Sequence, residues 1–230
     1  AFAGFGIGGP RPSGEAFIVF GNSNLLSGPI TTSALDGING AKILGLNEGD
    51  NLGFSVSIIG DINRDGFDDF AVSAPFADPS GRNAAGETYV FFGKEAPFAS
   101  SLDLINVDGS DGFRLIGANE GDRSGRSISG AGDFNGDGFD DFIIGGYPAD
   151  PNGDVDAGET YLIFGKSSGF PIEIDLGALD ASEGIVLLGV TANDRAGRSV
   201  SGAGDVNGDG LGSTIWLSAL PDQGSEPMSV

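Results

Sequence analysis

Acidic and amide side chains recur at alternate positions of one short loop, which is the spacing of a metal-binding segment. Positions 1, 3, 5 and 9 of its first copy are Asp61, Asn63, Asp65 and Asp69, and a glycine at position 6 permits a sharp turn. Phe67, at position 7, would add its backbone carbonyl. Calcium takes about six to eight oxygen ligands, with water completing the shell, so the loop predicts a calcium site.

The same loop returns 72 residues further along the chain and begins again after another 72. In the second copy the predicted ligands are Asp133, Asn135, Asp137, Phe139 and Asp141. The third copy keeps Asp205, Asn207 and Asp209, but Ser213 stands at position 9. Because a hydroxyl replaces the last carboxylate, we expect the third loop to bind calcium more weakly.

Other interpretations of the loop are less favoured. A solvated turn would also use Asp, Asn and Gly, but four carboxylates crowd into nine residues with only Arg64 to offset them. An EF-hand needs a glutamate at position 12, where Val72 and Ile144 stand, and magnesium prefers rigid octahedral geometry. Asp68 and Asp140, at position 8, are expected to cap backbone groups or to reach solvent.

The elements that carry the loops repeat with the same period. Short runs rich in β-branched and aromatic residues, bounded by Gly, Asp, Asn and Pro, predict four strands per unit. In the first full unit they lie near residues 41–46, 53–59, 70–74 and 88–92. Four short antiparallel strands at a fixed period are typical of a β-propeller blade, so the fold class is predicted as all-β, a partial array of about three blades.

The period also sets the predicted organisation of the chain. A partial repeat over residues 1–40 precedes two full repeats at 41–112 and 113–184, and a truncated repeat at 185–230 has an aberrant tail from residue 211. Residues 99–112 and 169–184 carry alternating apolar side chains, which fits either an extra edge strand or a connecting loop. Three blades cannot close into a ring, so we expect missing sequence or self-association through open blade edges.

Composition excludes several classes of function. A net charge of −22 disfavours nucleic acid as a partner, and the absence of His and Cys removes disulfides, structural zinc sites and catalysis by imidazole or thiolate. No apolar run is long enough to span a membrane. The chain opens at Ala1 and has its single methionine at Met228, so we expect a processed product or a fragment.

Other recurring residues have structural interpretations. Glu87 and Glu159 could suggest a paired-carboxylate glycosidase, but their spacing at the repeat period favours residues of a turn or of the start of a strand. The recurring N-E-G-D segment with its following arginines predicts a turn with local ion pairing rather than a binding motif. Aromatic residues on the strands are expected to pack between blades; they are Tyr89, Phe91, Phe92, Tyr161 and Phe164.

The repeated segment G-D-x-N-x-D-G-F-D-D-F, followed by an apolar strand and then a strand ending in Phe-Gly, resembles the FG-GAP repeat. This repeat forms the blades of the integrin alpha-subunit propeller and occurs in bacterial secreted and surface proteins. The resemblance covers almost all of residues 1–210. One element departs from the family, because Leu52, Ser124 and Ala196 replace the phenylalanine of the Phe-Gly pair before the loop.

The resemblance implies a non-enzymatic propeller that calcium makes rigid and that serves adhesion or protein interaction outside the cell, secreted or at the cell surface. Its partners would be calcium ions and a protein or glycan ligand of unknown identity. The alternative is an accessory propeller of a larger secreted enzyme whose catalytic domain lies outside this chain. Loops of this kind bind calcium with dissociation constants of about 10⁻⁴ to 10⁻³ M, which suits extracellular concentrations.

Overall fold

The described residues form short strands joined by tight turns. The computed structural model describes residues 12–21, 29–95, 97–167, 169–208 and 214–218, and these contain no α-helix. The strands are β1 (Glu15–Val19), β2 (Gly40–Leu44), β3 (Val56–Gly60), β4 (Asp69–Ala74), β5 (Glu87–Phe91), β6 (Ser101–Leu102), β7 (Gly112–Ile116), β8 (Ser127–Gly132), β9 (Asp141–Gly146), β10 (Glu159–Ile163), β11 (Glu173–Asp175), β12 (Gly184–Leu188), β13 (Ser199–Gly204) and β14 (Thr214–Ser218).

Two of the sheets have the four antiparallel strands of a propeller blade. Strands β3, β4, β5 and β7 form one, and β8, β9, β10 and β12 form the next. Before them, β1 pairs with β2, and after them β13 pairs with β14. The predicted all-β array of propeller blades is therefore confirmed.

The sheets are offset from the sequence repeat. Strands β3, β4 and β5 belong to the repeat at 41–112, but β7, the outermost of the four antiparallel strands in their sheet, opens the following repeat. The next sheet is built in the same way, with β12 as its outer strand. Each repeat is therefore tied by backbone hydrogen bonds to the repeat that follows it.

Neighbouring sheets meet along their inner strands, β3, β8 and β13. The backbone N–H of Ile128 donates to Ser55 Oγ at 3.1 Å, and the N–H of Gly202 donates to Ser129 Oγ at 3.2 Å. These serines occupy different positions of the repeat, but each supplies an acceptor to the strand of the following sheet. Side-chain hydrogen bonds therefore help to fix the spacing between adjacent blades.

The segments between repeats contain short edge strands in parallel orientation. Strand β6 pairs in parallel with β2, and β11 pairs in parallel with β7. A single 3-10 turn follows each of them, over Leu104–Asn106 and Leu176–Ala178. Of the two interpretations left open by the sequence, the extra edge strand is correct, although it is only two or three residues long.

The core lies between consecutive sheets. Phe113 is fully buried on β7 and stacks on Phe170, with ring centroids 4.4 Å apart and an interplanar angle of 5°. Tyr89, Phe91 and Tyr161, which the sequence assigns to the space between blades, are each buried, and Phe92 and Phe164 are partly buried, each against a different cluster of core residues. This packing agrees with the prediction from strand alternation.

An apolar groove of about 310 Å³ separates the first sheet from the second. Val19, Val56 and Ile58 line it, and 51%, 59% and 56% of these side chains are exposed. Within the described residues β1 has a partner on one edge only. The open edge expected from the sequence is thus present, while self-association through it remains a prediction.

Gly117, where the chain leaves β7, has no room for a side chain. A Cβ atom at this position would lie 1.9 Å from the carbonyl oxygen of Ala85. We expect Gly117→Ala to lower the free energy of unfolding by ~2 to 3 kcal/mol through overpacking, measured by urea denaturation. Gly169→Ala is the control, because a Cβ there meets no atom within 4 Å. Equal stability of the two variants would contradict the close contact.

Among the described residues, no helix has the length and apolar character that a membrane crossing requires.

Candidate metal loops

The acidic loops are the hairpin turns that join the two innermost strands of a sheet. Residues 61–68 connect β3 to β4, and residues 133–140 connect β8 to β9. In both hairpins the register shifts just before the loop, so Gly60 pairs with Asp69 and Gly132 pairs with Asp141. Both loops therefore lie at the same end of the array, as equivalent parts of neighbouring blades.

Side-chain oxygens of ligand positions 1 and 3 turn towards the same backbone N–H group in each loop. The N–H of Asp65 donates to Asp61 Oδ1 at 3.0 Å and to Asn63 Oδ1 at 2.9 Å, so both oxygens approach one point. In the second loop, Asp137 N–H donates to the side chains of Asp133 and Asn135 at 3.0 and 2.9 Å. The two loops thus place the oxygens of positions 1 and 3 in the same way.

The aspartate at position 9 is buried and ties the loop to the rest of the sheet. Asp69 is fully buried; its Oδ2 accepts from Ile62 N–H at 3.0 Å and its Oδ1 from Gly93 N–H at 2.7 Å. Asp141 is equally buried and accepts from Phe134 N–H and Gly165 N–H, both at 2.9 Å. The carboxylate at position 9 therefore joins its loop to a residue just after the third strand of the sheet, through backbone N–H groups.

Burial makes the negative charge at position 9 costly. Desolvation raises the pKa of Asp69 to about 7, although hydrogen bonds from Gly93 and Ile62 oppose the shift. The pKa of Asp141 is raised to about 6 for the same reason, against the hydrogen bonds from Gly165, Phe134 and Asn135. A cation in the loop would stabilise the ionised form of both carboxyl groups.

The predicted ligand set is only partly assembled. Among the described residues, no group of three or more Asp, Glu, His or Cys side chains is placed so that it could hold a metal ion. The converging oxygens of Asp61 and Asn63 and the buried carboxylate of Asp69 nevertheless suit a hard cation, because all of them are oxygen donors. Calcium binding would require the carboxylates to exchange backbone N–H donors for the cation.

The third loop differs from the other two. Gly204 pairs with Thr214, so Thr214 rather than Ser213 takes the register position held by Asp69 and Asp141. A threonine therefore stands where the other loops carry their buried carboxylate. Asp205 Oδ1 accepts from Gly208 N–H at 2.7 Å. Asp209 and Ser213 lie outside the described residues.

Position 8 behaves differently in the two described loops. The carboxylate of Asp140 accepts a hydrogen bond from Asp61 N–H of the neighbouring loop at 2.9 Å. Asp68 is exposed to solvent. These are the two roles that the sequence suggested for this position, capping in one loop and solvation in the other.

The N-E-G-D segments form turns at the opposite end of the array. Asn119 donates to Asp122 Oδ2 from its backbone N–H at 2.9 Å and from its side chain at 3.1 Å. Asp122 is only 5% exposed, and desolvation raises its pKa to about 6 against these hydrogen bonds. The predicted turn is present, and Asp122 accepts its hydrogen bonds from Asn119 of the same turn. Arg195 forms its ion pair with Asp156, at 3.5 Å.

Asp122 makes the stability depend on pH. Because its folded pKa of about 6 exceeds the value of 3.8 for a free carboxyl group, the folded state retains a proton that the unfolded chain has lost between these values. The free energy of unfolding should therefore fall as pH rises through this window, by ~2 kcal/mol from this group. Urea denaturation at pH 4 to 7 should show that the free energy of unfolding depends less on pH in Asp122→Asn than in the unsubstituted chain. The exposed Glu120→Gln controls for the loss of one charge, and an unchanged slope in Asp122→Asn would contradict the assignment.

A polar pocket of about 720 Å³ opens at the same end. It is lined by the segment that leads into β8, by the connection between β9 and β10, and by Arg195, which precedes β13. Its lining carries charges of both signs, from the acidic residues Glu120, Asp150 and Asp156 and from Arg123 and Arg195. Its shape and polarity suit a polar or charged ligand group rather than an apolar one.

Arg126 forms an aromatic cluster that the sequence analysis missed. Its guanidinium lies 4.6 Å from the ring centre of Phe54, 4.7 Å from Tyr147 and 5.8 Å from Phe76, and it donates to Tyr147 Oη at 2.9 Å. The ion pairing expected for this arginine is therefore replaced by cation–π contacts. The aromatic residues come from different loops, so no local pattern could have linked them.

Glu87 and Glu159 are the first residues of β5 and β10, as predicted. Tyr89 Oη donates to the Glu87 carboxylate and Tyr161 Oη donates to that of Glu159. Arg114 also lies 3.5 Å from Glu87. The two glutamates thus repeat one structural arrangement on neighbouring sheets, and the described residues give them no shared cleft.

Known proteins share the repeat and its loop. The FG-GAP repeat family matches residues 52–91 and 124–163, each of which spans three strands and one acidic loop. Integrin alpha-PS2 of Drosophila melanogaster is 33% identical over 103 residues, which cover 43% of this chain and 7% of the integrin. Integrin alpha-IIb of Homo sapiens is 35% identical over 97 residues, covering 42% of this chain and 8% of the integrin.

A third integrin alpha chain matches over a longer stretch. Integrin alpha pat-2 of Caenorhabditis briggsae is 30% identical over 155 residues, which cover 66% of this chain and 12% of the integrin. The chain thus spans about a tenth of the length of these relatives. The resemblance to FG-GAP repeats and to integrin alpha chains is confirmed.

Proposed function

We propose that this chain, an FG-GAP repeat protein similar to integrin alpha chains, is a calcium-binding extracellular propeller segment that serves adhesion or protein interaction. The observation that carries the proposal is the repeated loop geometry, in which the oxygens of positions 1 and 3 converge on one N–H group and position 9 is a buried carboxylate. The chain has no catalytic role in this proposal.

The proposed calcium ligands come from both described loops and from the weaker third loop. Asp61, Asn63, Asp65, Phe67 and Asp69 would hold the first ion, and Asp133, Asn135, Asp137, Phe139 and Asp141 the second. Asp205, Asn207 and Asp209 would form the third site. Calcium would supply the positive charge that the acidic loops lack, and it would fix the two ends of each hairpin.

Isothermal titration of the purified chain with calcium tests the metal sites directly. We expect two sites with dissociation constants of about 10⁻⁴ to 10⁻³ M, and a weaker third site. Asp65→Ala should remove the first and Asp137→Ala the second. Binding that survives the double substitution with unchanged stoichiometry would refute the proposed ligands.

Adhesion requires a surface for a partner, and the polar pocket beside Arg195 is the best candidate for a protein or glycan ligand. The array of blades would display it at the end opposite the calcium loops. We expect beads coated with the chain to attach to at least one member of a panel of immobilised extracellular proteins and glycans. Glu120→Lys changes the lining of the pocket and should weaken this attachment. Asp108→Lys makes the same type of charge change outside the pocket and is the control. Beads that carry it should attach as well as beads that carry the unsubstituted chain.

A further inference from the structure

The two described loops contact each other across the boundary between neighbouring sheets. Asp140 Oδ2 accepts a hydrogen bond from Asp61 N–H at 2.9 Å, and Asp140 N–H donates to the Asp61 carbonyl at 3.4 Å. Asp61 is the first proposed ligand of its loop, and Asp140 lies between two proposed ligands of the other loop, Phe139 and Asp141. The contact therefore joins the backbone of one proposed site to a side chain of the next.

The surrounding residues leave little freedom for this contact. Gly60 has φ of +84°, and a Cβ atom there would lie 2.3 Å from Asp140 Oδ2, so the carboxylate sits in space that only glycine provides. On the other side, Lys166 N–H donates to the Ile62 carbonyl at 2.9 Å, and the Arg64 guanidinium lies 5.9 Å from the centre of the Phe139 ring. The first loop is thus held at several points, by the second loop and by the residues that follow β10.

We propose that Asp140 is a positioning residue for the first loop and that, through it, the two loops bind calcium cooperatively. The inference rests on the proposed function. A cation in the second loop would fix the Phe139 carbonyl and the Asp141 side chain, and with them the backbone of Asp140. Asp140 then holds Asp61 in place, so the first loop loses less conformational freedom when its own cation binds.

Thermodynamic linkage makes this coupling reciprocal, so it can be measured from either loop. Isothermal titration compares the chain with Asp65→Ala, which removes the first site, and Asp137→Ala, which removes the second, all in an Asp209→Ala background. We expect loss of either site to weaken calcium binding at the other by about 5- to 10-fold, and by the same factor in both directions. Identical affinities with and without the neighbouring site would overturn the coupling.

Further variants test whether Asp140 is the residue responsible. Asp140→Ala should make the two sites independent, whereas Asp140→Asn keeps an acceptor oxygen and should retain most of the coupling. Asp68→Ala removes the equivalent, exposed carboxylate and should leave the coupling unchanged. Coupling that persists in Asp140→Ala would overturn the role of this residue.

A measurement without calcium separates positioning from a general effect of charge. In chelator, the backbone amide of Asp61 should exchange its hydrogen at least tenfold faster in Asp140→Ala than in Asp140→Asn or Asp68→Ala. If Asp140→Ala does not fold, the comparison of Asp65→Ala with Asp137→Ala still decides whether the loops are coupled. A chain that binds no calcium would overturn both proposals, whereas two independent sites would overturn the coupling alone.

Discussion

Calcium is expected to raise the melting temperature of the chain, and substitution of the central loop carboxylates should abolish the rise. At ten times the dissociation constant, each site adds ~1.4 kcal/mol to the free energy of unfolding, so two sites add ~3 kcal/mol. For a chain of this size that corresponds to roughly 6 to 12 °C. A thermal melt with millimolar calcium, repeated in chelator, measures the shift, and the double variant Asp65→Ala, Asp137→Ala should lose it.

The double variant is informative only if its fold is otherwise intact. Both aspartates are exposed, and in the part of the chain that the structure describes their carboxylates accept hydrogen bonds only within their own loops. We therefore expect the variant in chelator to melt close to the unsubstituted chain in chelator. An equal calcium-dependent shift in both proteins would show that calcium stabilises the fold from some other place.

The largest expected loss of stability comes from Phe113→Ala. This ring is fully buried between the second and third sheets, where it stacks on Phe170 and lies 5.9 Å from the ring centre of Phe92. Its removal leaves a cavity between blades and should lower the free energy of unfolding by ~3 to 5 kcal/mol. Urea denaturation in chelator measures this change without a contribution from metal binding.

Phe67→Ala provides a matched aromatic control for Phe113→Ala. The Phe67 side chain is 42% exposed at the tip of the first acidic loop, and its proposed contribution to the metal site is a backbone carbonyl. We expect Phe67→Ala to lower the free energy of unfolding by ~1 kcal/mol or less in chelator. Similar losses in the two variants would mean that the packing between sheets contributes little to stability.

The period of the sequence made most of the fold predictable. Turn residues and β-branched runs recur every 72 positions, so strands such as β4 and β9 could be located with an error of one or two residues. The pairing of β7 with β5 of the preceding repeat could not be read from the chain, because a period specifies which segments are equivalent but not where one sheet ends.

The acidic loops show a similar limit. Spacing identified which side chains could bind a cation, since alternate positions of a tight turn converge. It did not reveal that Asp69 and Asp141 serve as buried acceptors for backbone N–H groups, nor that Thr214 takes the equivalent place in the third loop. Those facts depend on strand register and on contacts with residues about 24 positions away, such as Gly93.

The outer strand that each sheet takes from the following repeat bears on how such a chain can grow. Because every repeat is both the inner part of one sheet and the outer edge of the previous one, an in-frame duplication of 72 residues adds one complete sheet wherever its ends fall. No junction has to coincide with a blade boundary. Genes that encode such arrays can therefore lengthen by imprecise recombination and still specify a foldable product.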